Sequence, residues 1–386
     1  MPYRPKDIYR GRRKFRVPLV IGLSVLAVLI VGAIVLFYAL QQFLVYDQTG
    51  VSLQLPFMSR EAEVQAAEAE PTPTFQPVEV QVIYEEPDFS QVDLGGWEEL
   101  TATRARFIPF SDAADEAKLA AALTNVSGDE YTGVVLELKS TYGQLAWASQ
   151  SETALGYGTA GTMDYTETVA ALHERGLTAA AQISCLADEL MATRNGPVAL
   201  QTEAGRTYRD DDGVYWLDPY NRFVRNYIAD LMAELSAMGF DEIILADLRH
   251  PVREGYWTAD EETGEVISTG FLYSVTVQTA PSPVNAVCQM ALRLAESLEG
   301  TETAVSAQID PSSLREGGEK TGQDPDIFWR VFARLYCPTD YWNAAGDLEY
   351  AAEAMRDGDA AVRFVPVCDM IPEGFESYVL RAGALG

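Results

Sequence analysis

Apolar and polar positions divide the chain into three regimes. From Val17 to Leu40 the residues are almost wholly apolar and uncharged, and an apolar run of this length crosses a bilayer core of about 30 Å as a helix. From Ser59 to Ser90 apolar periodicity is weak, apart from the alternating stretch Val78 to Tyr84. From Trp97 onward, short apolar runs of strand length alternate with longer patterns of helical period.

The strand-like runs are Arg106 to Phe110, Gly133 to Lys139, Thr178 to Cys185, Glu242 to Leu248, Thr303 to Ile309, Arg334 to Cys337, and Val362 to Cys368. Between them the clearest helix places Val224, Tyr227, Ile228, Leu231 and Leu235 on one face. Asp218 suits its N-cap and Pro219 its first turn. Glycine follows the helical patterns at Gly176, Gly239, Gly300 and Gly358, where it can adopt the left-handed conformation that stops a helix.

Repeated helix, glycine and strand units predict a parallel sheet with crossover helices. No G-x-G-x-x-G or G-x-x-x-x-G-K-[ST] follows a strand, so neither nucleotide binding nor any cofactor is expected, and a closed barrel is favoured over an open sheet. The predicted fold class is therefore α/β, a TIM-type (β/α)8 barrel over 97–386. Only seven strands are evident, so the barrel is expected to be incomplete or closed by the N-terminal strand Val78 to Tyr84.

Charge sharpens the N-terminal picture. The chain carries a net charge of -29, yet Arg4, Lys6, Arg10, Arg12, Arg13, Lys14 and Arg16 crowd the first sixteen residues. A basic tail at 1–16 before an apolar span predicts a signal anchor at 17–40, single-pass in the cell membrane, with the N-terminus cytoplasmic and the remainder extracytoplasmic. A cleaved signal peptide would need a shorter apolar region and a better small-residue site than Phe37 to Gln41 provides. Residues 41–96 then form an acidic, Pro-containing linker. The acidic remainder argues against nucleic acid as a partner.

Four cysteines, Cys185, Cys288, Cys337 and Cys368, show no C-x-x-C spacing, and the two histidines lack a metal spacing. Buried thiols are expected, with Cys337 and Cys368 closest to each other. His173 falls on a predicted helix surface, whereas His250 follows the fourth strand and is a candidate to line a cleft.

Groups at the C-terminal ends of barrel strands face a common cleft. Those ends bring Glu137 with Lys139 and Tyr142, then Asp247 with Arg249, then Asp310, Asp340 and Asp369. On the fourth strand either Asp247 and Arg249 point inward together or Ala246 does, and alternation alone leaves both open. Glycosidic hydrolysis needs two carboxyl groups about 5 to 9 Å apart, and these acids supply candidates. Trp147, Trp216, Tyr256, Trp257, Tyr341 and Trp342 are aromatic candidates for stacking on sugar.

Three ordered motifs carry a resemblance to a known family. They are Glu137-x-Lys139 with Gly143, then Trp216-Leu217-Asp218-Pro219-Tyr220, then Gly239-Phe240-Asp241-Glu242-Ile243 with Arg249 and Pro251. From about Arg106 to its end the chain resembles bacterial glycoside-hydrolase-like domains of TIM-barrel fold, long catalogued as a domain of unknown function and often membrane-anchored. The resemblance implies action on, or binding of, carbohydrate such as cell-wall glycan, through acids at the strand ends. It also implies departures: the family's strand-end acid falls on Ala246, its tyrosine on Asp247, its phenylalanine on His250 and a second acid on Gln308. Asp369 matches an acid the family keeps, while the family's last strand has no evident counterpart. Glu137, Asp247 and Asp369 are thus the candidate catalytic acids, with Lys139, Tyr142, Trp216, Arg249, His250, Trp257, Tyr341 and Trp342 as candidate substrate contacts. A non-catalytic glycan-binding or envelope-scaffold module on the same barrel is the second expectation.

Overall fold

The computed structural model describes residues 100–251, 282–340, 342–354 and 360–381, with shorter pieces at 44–47, 50–53, 89, 92, 94, 258–259, 266–268 and 270–274. The chain divides into two compact units, Met1–Glu79 and Val80–Gly386. In the first, Leu44–Asp47 and Gly50–Leu53 pair as an antiparallel hairpin. The basic tail, the span at 17–40 and Val78 to Tyr84 lie outside the described residues. No helix among the described residues is long and apolar enough to cross a membrane. The boundary expected at 97 falls inside the second unit, where Phe89 is buried and Leu94 N–H bonds Arg330 O.

That unit is a closed barrel of eight parallel strands. They are β1 Arg104–Ile108, β2 Gly133–Lys139, β3 Thr178–Ser184, β4 Glu242–Ala246, β5 Ala304–Gln308, β6 Leu335–Pro338, β7 Phe364–Cys368 and β8 Tyr378–Leu380. Each pairs with the next in chain order, and β8 closes on β1. All five residues of β4 and of β7 are buried, as expected of strands covered on both faces.

The pleat divides each strand between two cores. Ala105, Val135, Ala180, Ile244, Val365 and Val379 fill the barrel, while Ile243, Leu245, Val305 and Ala307 pack in the layer shared with the helices. Near the N-terminal end of the barrel Arg334 pairs with Glu242 at 2.9 Å, and Ser306 Oγ also bonds that carboxylate. Helices α1 Glu116–Thr124, α2 Thr166–Glu174, α3 Arg222–Ala237, α4 Pro283–Glu296, α5 Pro325–Val331 and α6 Ala344–Ala354 supply the crossovers.

The closing strand is neither missing nor N-terminal, which corrects the sequence expectation. β8 is three residues long and follows β7 through the connection 369–377, which holds no helix. A strand so short, without a crossover helix before it, leaves no periodic signal to read. Ser377 secures it by accepting the Thr103 N–H at 3.1 Å and donating to Val362 O at 2.9 Å.

The expected face of α3 is buried, with Met232 added. Its N-cap is Asn221, whose Oδ1 accepts the Phe223 N–H at 2.9 Å, and not Asp218. Asp218 and Pro219 instead open a turn closed by Asn221 N–H on Asp218 O at 3.0 Å, a position that favours Asp followed by Pro as strongly as a helix start does. Gly176, Gly239 and Gly300 take φ of 71°, 92° and 84°.

Candidate active site

The ambiguity on β4 is resolved by the core. Ile244 fills the barrel, so Ala246 shares its face and is buried at the mouth. The strand ends there, and Asp247 adopts φ 51°, the single left-handed non-glycine conformation among the described residues. This backbone costs about 1 kcal/mol, least for residues such as Asp. It brings Asp247 Oδ2 to 2.7 Å from Ser184 Oγ at the end of β3, a hydroxyl that also lies 2.8 Å from Ala187 O.

Glu137 occupies the inward face of β2, level with Gln182 of β3. Its Oε2 accepts the Phe110 N–H at 2.9 Å. Burial raises its pKa above the ordinary carboxyl value, the Phe110 hydrogen bond opposes the rise, and the charge of Asp247 adds to it. Glu137 and Asp247 therefore sense each other electrostatically. A carboxyl whose protonated form burial favours is the kind of group that general-acid catalysis uses.

Lys139, expected to touch substrate, is instead wholly buried. Its ammonium lies 2.9 Å from Asp188 Oδ2 and donates to Ser184 O at 2.7 Å. Asp188 Oδ1 accepts the Met191 N–H at 2.8 Å and so caps the helix Glu189–Arg194. Gly143 is required beside it: φ is 92°, and a Cβ there would sit 2.0 Å from Asp188 Oδ1. The motif of Glu137, Lys139 and Gly143 thus contributes one group to the mouth and two to its frame. Asp188 and Ser184 escaped the sequence reading, although Asp188 before Glu-Leu-Met carries an N-cap signature.

Trp216 is likewise structural. It is buried, its Nε1 donates to Asp210 Oδ2 at 2.8 Å, and the Arg249 guanidinium covers the ring at 4.8 Å, so it offers no open face to a sugar. Arg249 Nε stands 3.9 Å from Asp310 Oδ2, both side chains partly exposed. Gln323, also missed in sequence, ties this corner together: its Nε2 donates to Leu248 O and Gln308 O at 3.1 and 2.8 Å, and its Oε1 accepts the Asp310 N–H at 2.8 Å.

His250, the other candidate contact on this loop, does not line the cleft. The ring is buried, Nδ1 lies 3.1 Å from Pro251 O and Nε2 3.0 Å from Tyr273 Oη. A carbonyl only accepts, so Nδ1 carries the proton and Nε2 accepts from Tyr273. Burial lowers the His250 pKa to about 4, the Pro251 hydrogen bond opposing and the Arg249 charge assisting. Asp218 accepts the Ser274 N–H, and Tyr220 Oη donates to Ser282 O at 2.9 Å. Asp218 and Tyr220 of the Trp-x-Asp-Pro-Tyr motif therefore bond the backbone at Ser274 and Ser282.

The remaining candidates are dispersed. Asp369 lies just beyond β7 with its side chain 78% exposed, 3.9 Å from Arg381 Nη1. Tyr142 and Trp342 are exposed, and Trp257 and Tyr341 lie outside the described residues. Trp147 is core, its Nε1 donating to Glu234 at 2.8 Å. His173 pairs with Asp241 at the surface at 2.8 Å. All four cysteines are free and buried. Among the described residues no group of three or more His, Cys, Asp or Glu could hold a metal ion.

The second unit is thus a closed eight-stranded parallel barrel with Glu137 and Asp247 at the C-terminal ends of its strands. The chain belongs to the family described as "Putative glycosyl hydrolase domain", whose model matches residues 105–325. Among solved structures it is similar to the PgaB (BpsB) glycoside hydrolase domain from Bordetella bronchiseptica, at 10% identity and TM-score 0.51, over 73% of this chain and 94% of that one. It is also similar to a hypothetical protein from Ruminiclostridium thermocellum, at 18% identity and TM-score 0.43, over 52% and 96%. The galactosidase domain of the alpha-galactosidase-sucrose kinase AgaSK matches at 12% identity and TM-score 0.46, over 77% and 40%. No curated protein matches the chain.

Replacing Lys139 with Met should cost about 3–5 kcal/mol in denaturant unfolding, because it strands the Asp188 charge in the interior. Adding Asp188→Asn, which keeps the cap and removes the charge, should recover part of the loss. Glu137 gives a pH signature. Its folded pKa is raised, so its stabilising contribution is present at low pH and lost as pH rises through that value. Glu137→Gln should therefore melt above the parent at neutral pH and converge with it in acid, and a melting gap that ignores pH would contradict this assignment.

Proposed function

We propose that the barrel is a glycoside hydrolase that works with Glu137 and Asp247 at its mouth. The observation that carries this reading is the left-handed Asp247. Where the family's acid position is filled by Ala246, a strained backbone sets the next carboxyl 2.7 Å from Ser184 Oγ, at the end of the strand that neighbours the one carrying Glu137. Glu137, whose protonated form burial favours, is the acid that protonates the leaving oxygen. Asp247, within hydrogen-bond distance of Ser184, is the base or nucleophile. Arg249, braced by Trp216 and Asp310, orients substrate or an acid.

A second reading, a glycan-binding module without turnover, is favoured by one specific pair of residues. Ala246 and Gln308 both take inward strand positions where the resemblance implies acids. Membrane anchorage through 17–40, with the barrel extracytoplasmic, completes the proposal and rests on the apolar run and its basic flank.

A hydrolysis screen on mixed glycans separates the two. The first reading expects turnover that falls about 10²- to 10⁴-fold in Glu137→Gln and in Asp247→Asn, with Asp369→Asn changing it far less. Turnover indifferent to both Glu137 and Asp247 would sink it, and binding without turnover would favour the module. Anchorage predicts that the full chain sediments with membranes and that removing 17–40 releases it; a deleted chain that still sediments argues otherwise.

A further inference from the structure

The pleat that turns Ile244 and Ala246 inward on β4 also fixes what its two neighbours present. On β3, Ala179, Ala181 and Ile183 pack in the helical layer and Ala180 in the barrel, so Gln182 faces the lumen. On β5, Val305, Ala307 and Ile309 pack in the helical layer, so Ser306 and Gln308 face the lumen as well. Both glutamines are half-buried. Water reaches an inward side chain of a closed barrel only through an end. Gln182 and Gln308 stand in the C-terminal halves of their strands, so both open on the mouth.

Strand register sets them beside the groups already described. Gln182 is the partner of Glu137 across β2 and β3, and of Ile244 across β3 and β4. Gln308 follows Ala307, the partner of Leu245, and is therefore level with Ala246. Strands two apart are separated by about 10 Å, and side chains leaning into a closed ring converge, so one sugar residue reaches both. The inward hydroxyls nearby are engaged, Ser184 with Asp247 and Ala187 O, and Ser306 with Glu242. Neither carboxamide has a hydrogen-bond partner among the described residues, although an unpaired, half-buried amide costs free energy. Across the ring, β7 and β8 turn Val365, Val367 and Val379 inward. The lumen thus offers hydrogen bonds on one side and an apolar wall on the other.

A carboxamide donates and accepts, and carries no charge. A hydroxyl or an acetamido group satisfies both functions. A sugar carboxylate or ammonium set against it would lose water without gaining a counter-charge from it. We propose that Gln182 and Gln308 are the specificity-determining residues of the mouth, bonding the uncharged hydroxyl or acetamido substituents of one sugar residue, so that the substrate is a neutral glycan. This rests on the glycosidase reading of Glu137 and Asp247, and it gives Gln308 a binding role where the resemblance implies an acid.

The test is calorimetric titration of the full chain in detergent carrying Glu137→Ala, so that bound chains persist. The probes are cello-oligosaccharides, chito-oligosaccharides, their cationic de-N-acetylated counterparts and anionic oligogalacturonates. The tightest binding should fall in one of the two neutral series. Gln182→Met and Gln308→Met, close in volume but without the amide, should each weaken it about tenfold. Both should melt at or above the parent, because no bond within the protein is lost. Gln308→Glu should shift preference toward the cationic series. Preference for a charged series, neutral binding indifferent to both glutamines, no binding in any series, or a drop in melting temperature with either Met variant overturns the proposal. The two proposals fail separately. Turnover of a neutral glycan by the parent, unchanged in both Met variants, leaves the hydrolase without these specificity residues, whereas neutral binding lost in the Met variants without turnover by the parent leaves them on a non-hydrolytic module.

Discussion

A closed ring of parallel strands allows each strand residue two destinations, the barrel or the helical layer, and everything at the mouth depends on that constraint. Because Ile244 fills the barrel, Ala246 must follow it inward and Asp247 cannot reach the mouth as a regular strand residue. The chain meets the constraint by ending β4 and turning left-handed at Asp247. One backbone torsion therefore decides whether this barrel presents one carboxyl or two on its β2–β4 side.

A frame of buried polar pairs holds that torsion in place. Lys139 joins the ends of β2 and β3 by bonding both Asp188 and Ser184 O, while the Ser184 hydroxyl reaches Asp247. Gln323 joins the ends of β4 and β5 in the same way. An ion pair taken from water is weak evidence for stability in itself, and its stronger effect is to penalise any arrangement that separates the partners. Residues that look chemical in a linear motif, namely Lys139, Trp216, Asp218 and His250, are spent on this frame and on the loop after β4.

The fold was legible because its signals are local and repeated. Seven strands and the face of α3 follow from runs of apolar residues and from glycines at helix ends. β8 was not legible, since three residues without a crossover helix carry no period. The site was legible only as a set of acids, because a motif fixes spacing along the chain while the mouth is assembled from side chains far apart in sequence. Ser184 and Asp247 show the difference: Asp247 stands out in its segment and Ser184 does not, and their contact exists only because β3 and β4 are neighbours.

The sequence by itself determined the barrel class, the order of its first seven strands, the acidic composition and the family motifs, since each depends on residue type and near-neighbour periodicity. Tertiary structure alone decided that Lys139 pairs with Asp188, that Arg249 covers Trp216, that Ala246 faces inward and that Asp247 turns left-handed to meet Ser184. Those outcomes depend on burial and on contacts across strands, and the free energy of placing a charge or an aromatic ring is set by what surrounds it in space.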